Sequence, residues 1–78
     1  MTLAEKLRKL RTNKRFSMSE VSRLSQKAED PRGRITQGYL SRLEAGHESN
    51  PSLQKILTLS RIYEVEPNEF FPIRKRKR

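Results

Sequence analysis

Four residues of this chain combine side-chain chemistry and spacing suited to reading a hydrogen-bond pattern on another molecule: Gln37, Gly38, Ser41 and Arg42. They lie within I-T-Q-G-Y-L-S-R-L-E-A-G, residues 35–46. Thr36 is a natural helix N-cap, because its hydroxyl accepts from the orphan amides two or three residues on. Ile35 and Leu40 stand where a hydrophobic staple would. Leu40 and Leu43 share a face, and Gly46 sits where a helix C′ residue turns left-handed. The spacing therefore predicts a short helix with one apolar side. Its other side carries an amide, a glycine, a hydroxyl and a guanidinium. An amide pairs bidentately with adenine N6 and N7, and a guanidinium with guanine O6 and N7. That face has the chemistry to read base edges in a DNA major groove. Gln37 is in the first turn, where side chains project furthest into a groove. Arg42 suits a guanine or a phosphate alike. Gly38 lets backbone approach DNA closely, or is simply tolerated at a cost of about 1 kcal/mol in helicity.

The rest of the composition leaves few other chemistries. The chain has 78 residues, no cysteine and one histidine. Disulfides and thiolate metal sites are excluded. His47 alone, in a polar connector, is neither a metal site nor a catalytic base. No glycine-rich phosphate loop, histidine–carboxylate cluster or activated serine is legible. No catalytic residue, metal, cofactor or small-molecule ligand is expected, and the chain does not read as an enzyme. No apolar run is long enough to span a bilayer. Charges interrupt M-T-L-A-E-K-L-R, so the N-terminus does not read as a signal peptide. A soluble, cytoplasmic protein is the expectation.

The net charge is +9, with a pI near 10.7. Such an excess in a small domain points to polyanions. Arg74-Lys75-Arg76-Lys77-Arg78 carries +5 of it, leaving +4 on the body. The tail is either a solvated end or an arm along phosphates. A membrane surface fits less well, because no large apolar face accompanies the charges. Residues 1–72 read as one domain and 73–78 as its basic tail.

The elements that must position residues 35–46 are helices, and no strand is legible. Thr2 and Glu5 form a capping box, and Leu3, Leu7 and Leu10 recur at helical spacing. Asn13 suits the left-handed end of that helix. Ser17 and Glu20 form a second box, with Phe16 and Val21 as its staple. The second helix runs to Ala28 on its stripe, or stops at Ser25-Gln26. Glu29-Asp30-Pro31-Arg32-Gly33-Arg34 then breaks it with turn chemistry. Pro51 suits the first turn of a fourth helix, with Asn50 as its cap. Leu53, Ile56, Leu57, Ser60 and Tyr63 form its stripe, widened by Leu59 and Ile62. Pro67-Asn68-Glu69-Phe70-Phe71 reads as a last short helix closing the core.

In order and spacing these pieces resemble the phage-repressor/Cro (Xre-like) helix-turn-helix family. Leu7-x-x-Leu10-Arg11 resembles its first-helix ending, and Phe16-Ser17-Met18-Ser19-Glu20-Val21-Ser22 its second-helix start. Tyr39-Leu40-Ser41-Arg42-Leu43-Glu44-x-Gly46 resembles its recognition helix and exit. Asn50-Pro51-Ser52-Leu53 and Tyr63-x-Val65-x-Pro67-x-x-Phe70-Phe71 resemble its last two helices. The resemblance implies an all-α, five-helix lambda-repressor-like domain that binds double-stranded DNA and regulates transcription, as repressors of prokaryotic or phage type do. It implies that Gln37, Gly38, Ser41 and Arg42 read bases, and that Arg11 pairs with Glu44. It also implies a homodimer on a pseudo-palindromic site. Phe70, Phe71 and Ile73 offer apolar surface for the dimer contact.

Three departures stand out. The link between helices 2 and 3 is lengthened by about Lys27–Arg34. Met18 stands where the family often has an amide or another polar residue. Gly38 removes a side chain that often reads a base. Backbone contacts are expected from Arg15, Ser17, Met18, Ser19, Arg32, Arg34, Thr36, Tyr39 and Asn50, because phosphate contacts outnumber base contacts. The alternative is a protein-interaction module on the same fold, antitoxin-like or an adaptor subunit, since fold alone does not settle function. A lesser rival is non-specific nucleic-acid binding driven by the tail.

Overall fold

The two capping boxes form as their spacing requires. Thr2 Oγ1 accepts from the Glu5 amide at 3.2 Å while Glu5 takes the Thr2 amide at 3.0 Å. Ser17 and Glu20 do the same at 3.1 and 2.8 Å. These caps start α1 (Leu3–Asn13) and α2 (Met18–Ser25). A 3-10 turn, Pro31–Gly33, interrupts the link to α3 (Gln37–Glu44); α4 (Leu53–Tyr63) and a second 3-10 turn, Pro67–Phe70, complete the order. This is a computed structural model, and it describes residues 2–48 and 50–70. Among them there are four α-helices and no strand.

The expected fifth helix is thus a 3-10 turn. Its bond from the Glu69 amide to the Glu66 carbonyl, 2.9 Å, is of the tighter three-residue kind. Four residues are too few for α-helical bonding to propagate. Other boundaries also move. Asn13 stays helical, and Arg15, at φ 62°, is the left-handed residue that ends α1. Phe16 N–H bonds to Arg11 O and Arg15 N–H to Thr12 O, at 3.1 and 3.0 Å, the paired bonds of a Schellman closure. Gly46 ends α3 in the same way at φ 83°, with His47 N–H on Arg42 O at 2.9 Å. Helix α2 takes the earlier of its two expected ends, Ser25, and the Lys27 and Ala28 amides beyond it make three-residue bonds. Ser52, not Asn50, caps α4: its hydroxyl accepts from the Lys55 amide at 3.3 Å.

Leu7, Val21, Ile35, Leu40, Leu43, Ile56, Leu59, Tyr63 and Phe70 form the core, so every α-helix and the last turn contribute. Burying each of the aliphatic side chains is worth about 1.5–3 kcal/mol. The stripe of α4 is rotated from its expected position. Ile56, Leu59, Ser60 and Tyr63 face inward, while Leu53 and Leu57 are 58% and 44% exposed. Phe70 is buried too, which removes it from the surface expected to join two copies. Phe71 and Ile73, and the basic tail, lie outside the described residues. Among the described residues no helix is long and apolar enough to cross a membrane.

The link is docked rather than free. Gly33 is buried against α4, where a Cβ would meet Thr58 Oγ1 at 2.5 Å and the Gln54 carbonyl at 3.0 Å. Lys55 Nζ reaches from α4 to the Arg32 carbonyl at 2.8 Å. Gly33→Ala should therefore cost about 1–3 kcal/mol by overpacking. For a domain of this size that lowers Tm by about 4–8 °C per kcal/mol, readable by thermal melts. An unchanged melt would mean that the link does not press on α4.

Candidate nucleic-acid interface

The face of residues 37–42 is created by what the opposite face of α3 is tied to. Thr36 Oγ1 accepts from the Tyr39 amide at 3.1 Å and starts the helix. Leu40 and Leu43 are wholly buried, and Glu44 is 3% exposed. Glu44 takes both guanidinium edges of Arg11, Nε at 2.8 Å and Nη2 at 2.9 Å. The third Arg11 donor, Nη1, goes to the Phe16 carbonyl at 2.9 Å. One guanidinium thus joins α1, the start of α2 and the last turn of α3. A carboxylate that late on a helix faces the negative end of the macrodipole, and Arg11 supplies the compensating cation. Arg8 Nη2 adds a long contact to the Glu44 carbonyl, 3.5 Å. Beside this pair lies the Tyr63 hydroxyl, the buried side-chain oxygen with no hydrogen-bond partner among the described residues. Burial, and then Glu44, push its pKa well above the usual phenol range, while Arg11 draws it back.

With one side so held, Gln37, Gly38, Ser41 and Arg42 all stand exposed on the other. Gly38 has open space around it: a Cβ there would meet only Arg42 Nη1, at 4.0 Å. The fold does not require a glycine at that position. Tyr39 is half-buried beside the face, with the Arg42 guanidinium 5.7 Å and the Lys55 ammonium 5.4 Å from its ring centroid. Such distances fit cation–π contact. Burial, and next Glu48, raise the Tyr39 pKa, so its hydroxyl remains a donor at neutral pH.

The remaining residues of the expected surface fall into separate places. Arg15 is exposed at the α1–α2 corner in its left-handed conformation. Ser17 is the α2 cap, with its hydroxyl 3.1 Å from that of Ser19. Glu20 already holds the Ser17 amide, leaving the first-turn amides of Met18 and Ser19 ahead of the intrahelical ladder. The Met18 side chain packs on the core, so what it offers the surface is that amide. Arg32 is held by Asp30, at 3.1 and 2.8 Å, and Arg34 Nε donates to the Ala28 carbonyl at 3.1 Å. The Asp30 bonds raise the pKa of Arg32, and the Arg32 bonds lower that of Asp30. Asn50 is exposed and caps nothing.

Lys55 is the residue that sequence reasoning overlooked. It reads as an ordinary helix-surface lysine, and no short motif marks it. Only the packing of the link on α4 brings it to Tyr39 and Arg32. A cleft of about 200 Å³ between link and α4, with Glu29, Asp30, Leu57 and Arg61 in its walls, is smaller than the roughly 300–1,000 Å³ usual for small organic ligands. Among the described residues no group of three potential ligands is placed to hold a metal ion.

Two capped helices, the second presenting a polar face while its apolar face is locked into a small helical core, define a helix-turn-helix domain. Residues 7–70 match the helix-turn-helix family model HTH_3. The chain belongs to that family, the Xre/Cro-like helix-turn-helix DNA-binding domains. Comparison with curated proteins and with solved structures returns no match.

Proposed function

We propose that the protein is a sequence-specific regulator of transcription that inserts α3 into the major groove of double-stranded DNA. The observation that carries this reading is the exposed Gln37–Gly38–Ser41–Arg42 face on a helix that three buried residues, Leu40, Leu43 and Glu44, hold in one orientation. Direct readout needs a helix with a polar outer face; α3 has that face, and its inner side is buried in the core. Gln37 takes adenine, and Arg42 takes guanine or the flanking phosphate. Gly38 has no packing reason to be glycine, which supports close approach of the backbone to a base or sugar. Ser17, Met18 and Ser19 present amides and a hydroxyl to one phosphate stretch. Thr36, Tyr39, Lys55 and the link arginines flank the other end of the unit, and Arg15 and Asn50 add further backbone contacts. Two copies related by a two-fold bind a pseudo-palindromic site. Leu53 and Leu57 are apolar surface available for that contact. Repression, by occupying promoter DNA, is the simplest consequence.

Selection from a random duplex library tests the whole reading. An enriched palindrome gives specificity, stoichiometry and half-site spacing together. Enrichment of no sequence, with the partner instead a protein, would favour the interaction-module alternative. The tail is tested separately. Deleting Arg74–Arg78 should weaken binding to every duplex and flatten the log–log salt dependence by about 0.9 for each phosphate that the tail neutralises. An unchanged slope makes the tail a passive end.

A further inference from the structure

The link from Gln26 to Thr36 replaces a tight turn, yet its two ends are clamped together by side chains. Ser25, the last residue of α2, is wholly buried. Its hydroxyl accepts from the Ile35 amide at 2.8 Å and lies 3.0 Å from the Ile35 carbonyl and 2.7 Å from the Ser22 carbonyl. Ser22 Oγ donates to the same Ile35 carbonyl at 2.8 Å. Both polar backbone groups of Ile35 are thus met by the end of α2. Ile35 itself is wholly buried, one residue before the α3 cap. In space, the end of α2 at Ser25 meets Ile35 directly through these hydrogen bonds. The intervening residues form a loop closed at its base, as in compact Ω-loops. On the outer side Gly33 and Lys55 dock the loop on α4.

We infer that Ser25 is the positioning residue that sets the placement of the recognition helix relative to α2, with Ser22 as its auxiliary. The inference rests on the DNA-reading role proposed above for α3. The hydroxyl type matters because one oxygen must accept from an N–H and donate to a carbonyl at once. Alanine cannot do either. An unpaired Ile35 amide would then be left in the interior, and the start of α3 would shift or widen its range of positions. Direct readout depends on side chains held within a fraction of an ångström. Phosphate attraction does not. Loss of Ser25 therefore separates the two kinds of binding.

The test compares Ser25→Ala, Ser22→Ala and the parent on two duplexes: one selected from a random library by the parent, and a scrambled duplex of equal length. Folding of each variant is checked by circular dichroism at the assay temperature. Ser25→Ala is expected to lower the ratio of selected to scrambled affinity at least tenfold, with scrambled affinity unchanged within twofold. Ser22→Ala should lower it less, because Ser25 still holds Ile35. Mere loss of folded protein would lower both affinities in proportion. Inserting two glycines between Ala28 and Glu29 should leave the ratio within twofold, since the loop is closed beneath the insertion. A second measurement needs no DNA. The chain has no cysteine, so spin labels at Arg23→Cys and Ala45→Cys, both exposed, report the α2–α3 distance alone. Ser25→Ala should shift or broaden that distribution. A folded Ser25→Ala protein with the parent's distribution and the parent's ratio overturns the inference, as does a glycine insertion that abolishes selectivity. If the parent selects no sequence at all, the DNA-reading role fails, and the label distances still decide whether Ser25 positions α3.

Discussion

Replacing Gln37 and Arg42 together with alanine is expected to erase preference for a selected duplex while leaving salt-sensitive binding to any duplex. Each good bidentate contact is worth about 1–3 kcal/mol of discrimination. Two of them amount to about 2–6 kcal/mol, which at 1.4 kcal/mol per factor of ten is on the order of thirty- to ten-thousand-fold. The residual binding survives because the amides of α2, Lys55 and the link arginines are untouched. Stability should hardly move, because both side chains are exposed and Arg42 lies over the Tyr39 ring without entering the core. Surface replacements of that kind usually stay within about 0.5 kcal/mol. Competition between selected and scrambled duplexes, titrated with salt, reads the two components separately. A double variant that keeps its sequence preference would falsify the assignment of α3 as the reading helix.

Removing Arg11 should be among the most damaging single changes to the fold. Arg11→Ala leaves the Glu44 carboxylate, 3% exposed, without either of its two charge-assisted bonds. Breaking a buried pair from one side costs about 3–5 kcal/mol. That is a large share of the 5–15 kcal/mol available to an ordinary domain. Glu44→Gln should cost less. Its amide oxygen can still accept from Arg11, and the guanidinium keeps its bond to the Phe16 carbonyl and 15% exposure to water. Urea unfolding of both variants gives the order. Equal losses, or a larger one for Glu44→Gln, would mean that burial of the carboxylate is not what makes the pair matter.

Much of this architecture is legible because its signals are short-range. Thr2 with Glu5 and Ser17 with Glu20 act across three residues, so their caps can be read directly. Thr36, Leu40, Leu43 and Gly46 locate α3 by the same local logic. What escapes is whatever depends on a partner far along the chain. The apolar residues of α4 cover more than one face, so periodicity alone cannot choose whether Leu53 and Leu57 or Leu59 join Ile56 and Tyr63 on the inward side; packing chooses. Gly33 reads as turn chemistry, whereas its position is dictated by Thr58 and Gln54. Ser25 looks like a helix terminator, and only the return of the chain at Ile35 gives its hydroxyl two partners. Arg15 rather than Asn13 is the left-handed residue, because the helix closes through Phe16 N–H on Arg11 O and Arg15 N–H on Thr12 O, against the cost of about 1–2 kcal/mol that a side chain bears in that conformation. The exposed side of α3 is fully readable, since it is the complement of a stripe with one consistent phase. Lys55 is not, because its place beside Tyr39 follows from the docked link.

The Arg11–Glu44 pair spans 33 positions of sequence, and this has a consequence for incomplete copies of the protein. Eight residues are too few to hold a helix in water unaided. Until residues 3–13 have docked, Glu44 also stands at the negative end of the α3 dipole without the Arg11 cation that offsets it in the folded domain. The exposed face of α3 and the intact domain are therefore expected to form together. A fragment without residues 3–13 is therefore expected to hold that face poorly and, under the DNA-reading role proposed above, to compete poorly with whole molecules for DNA.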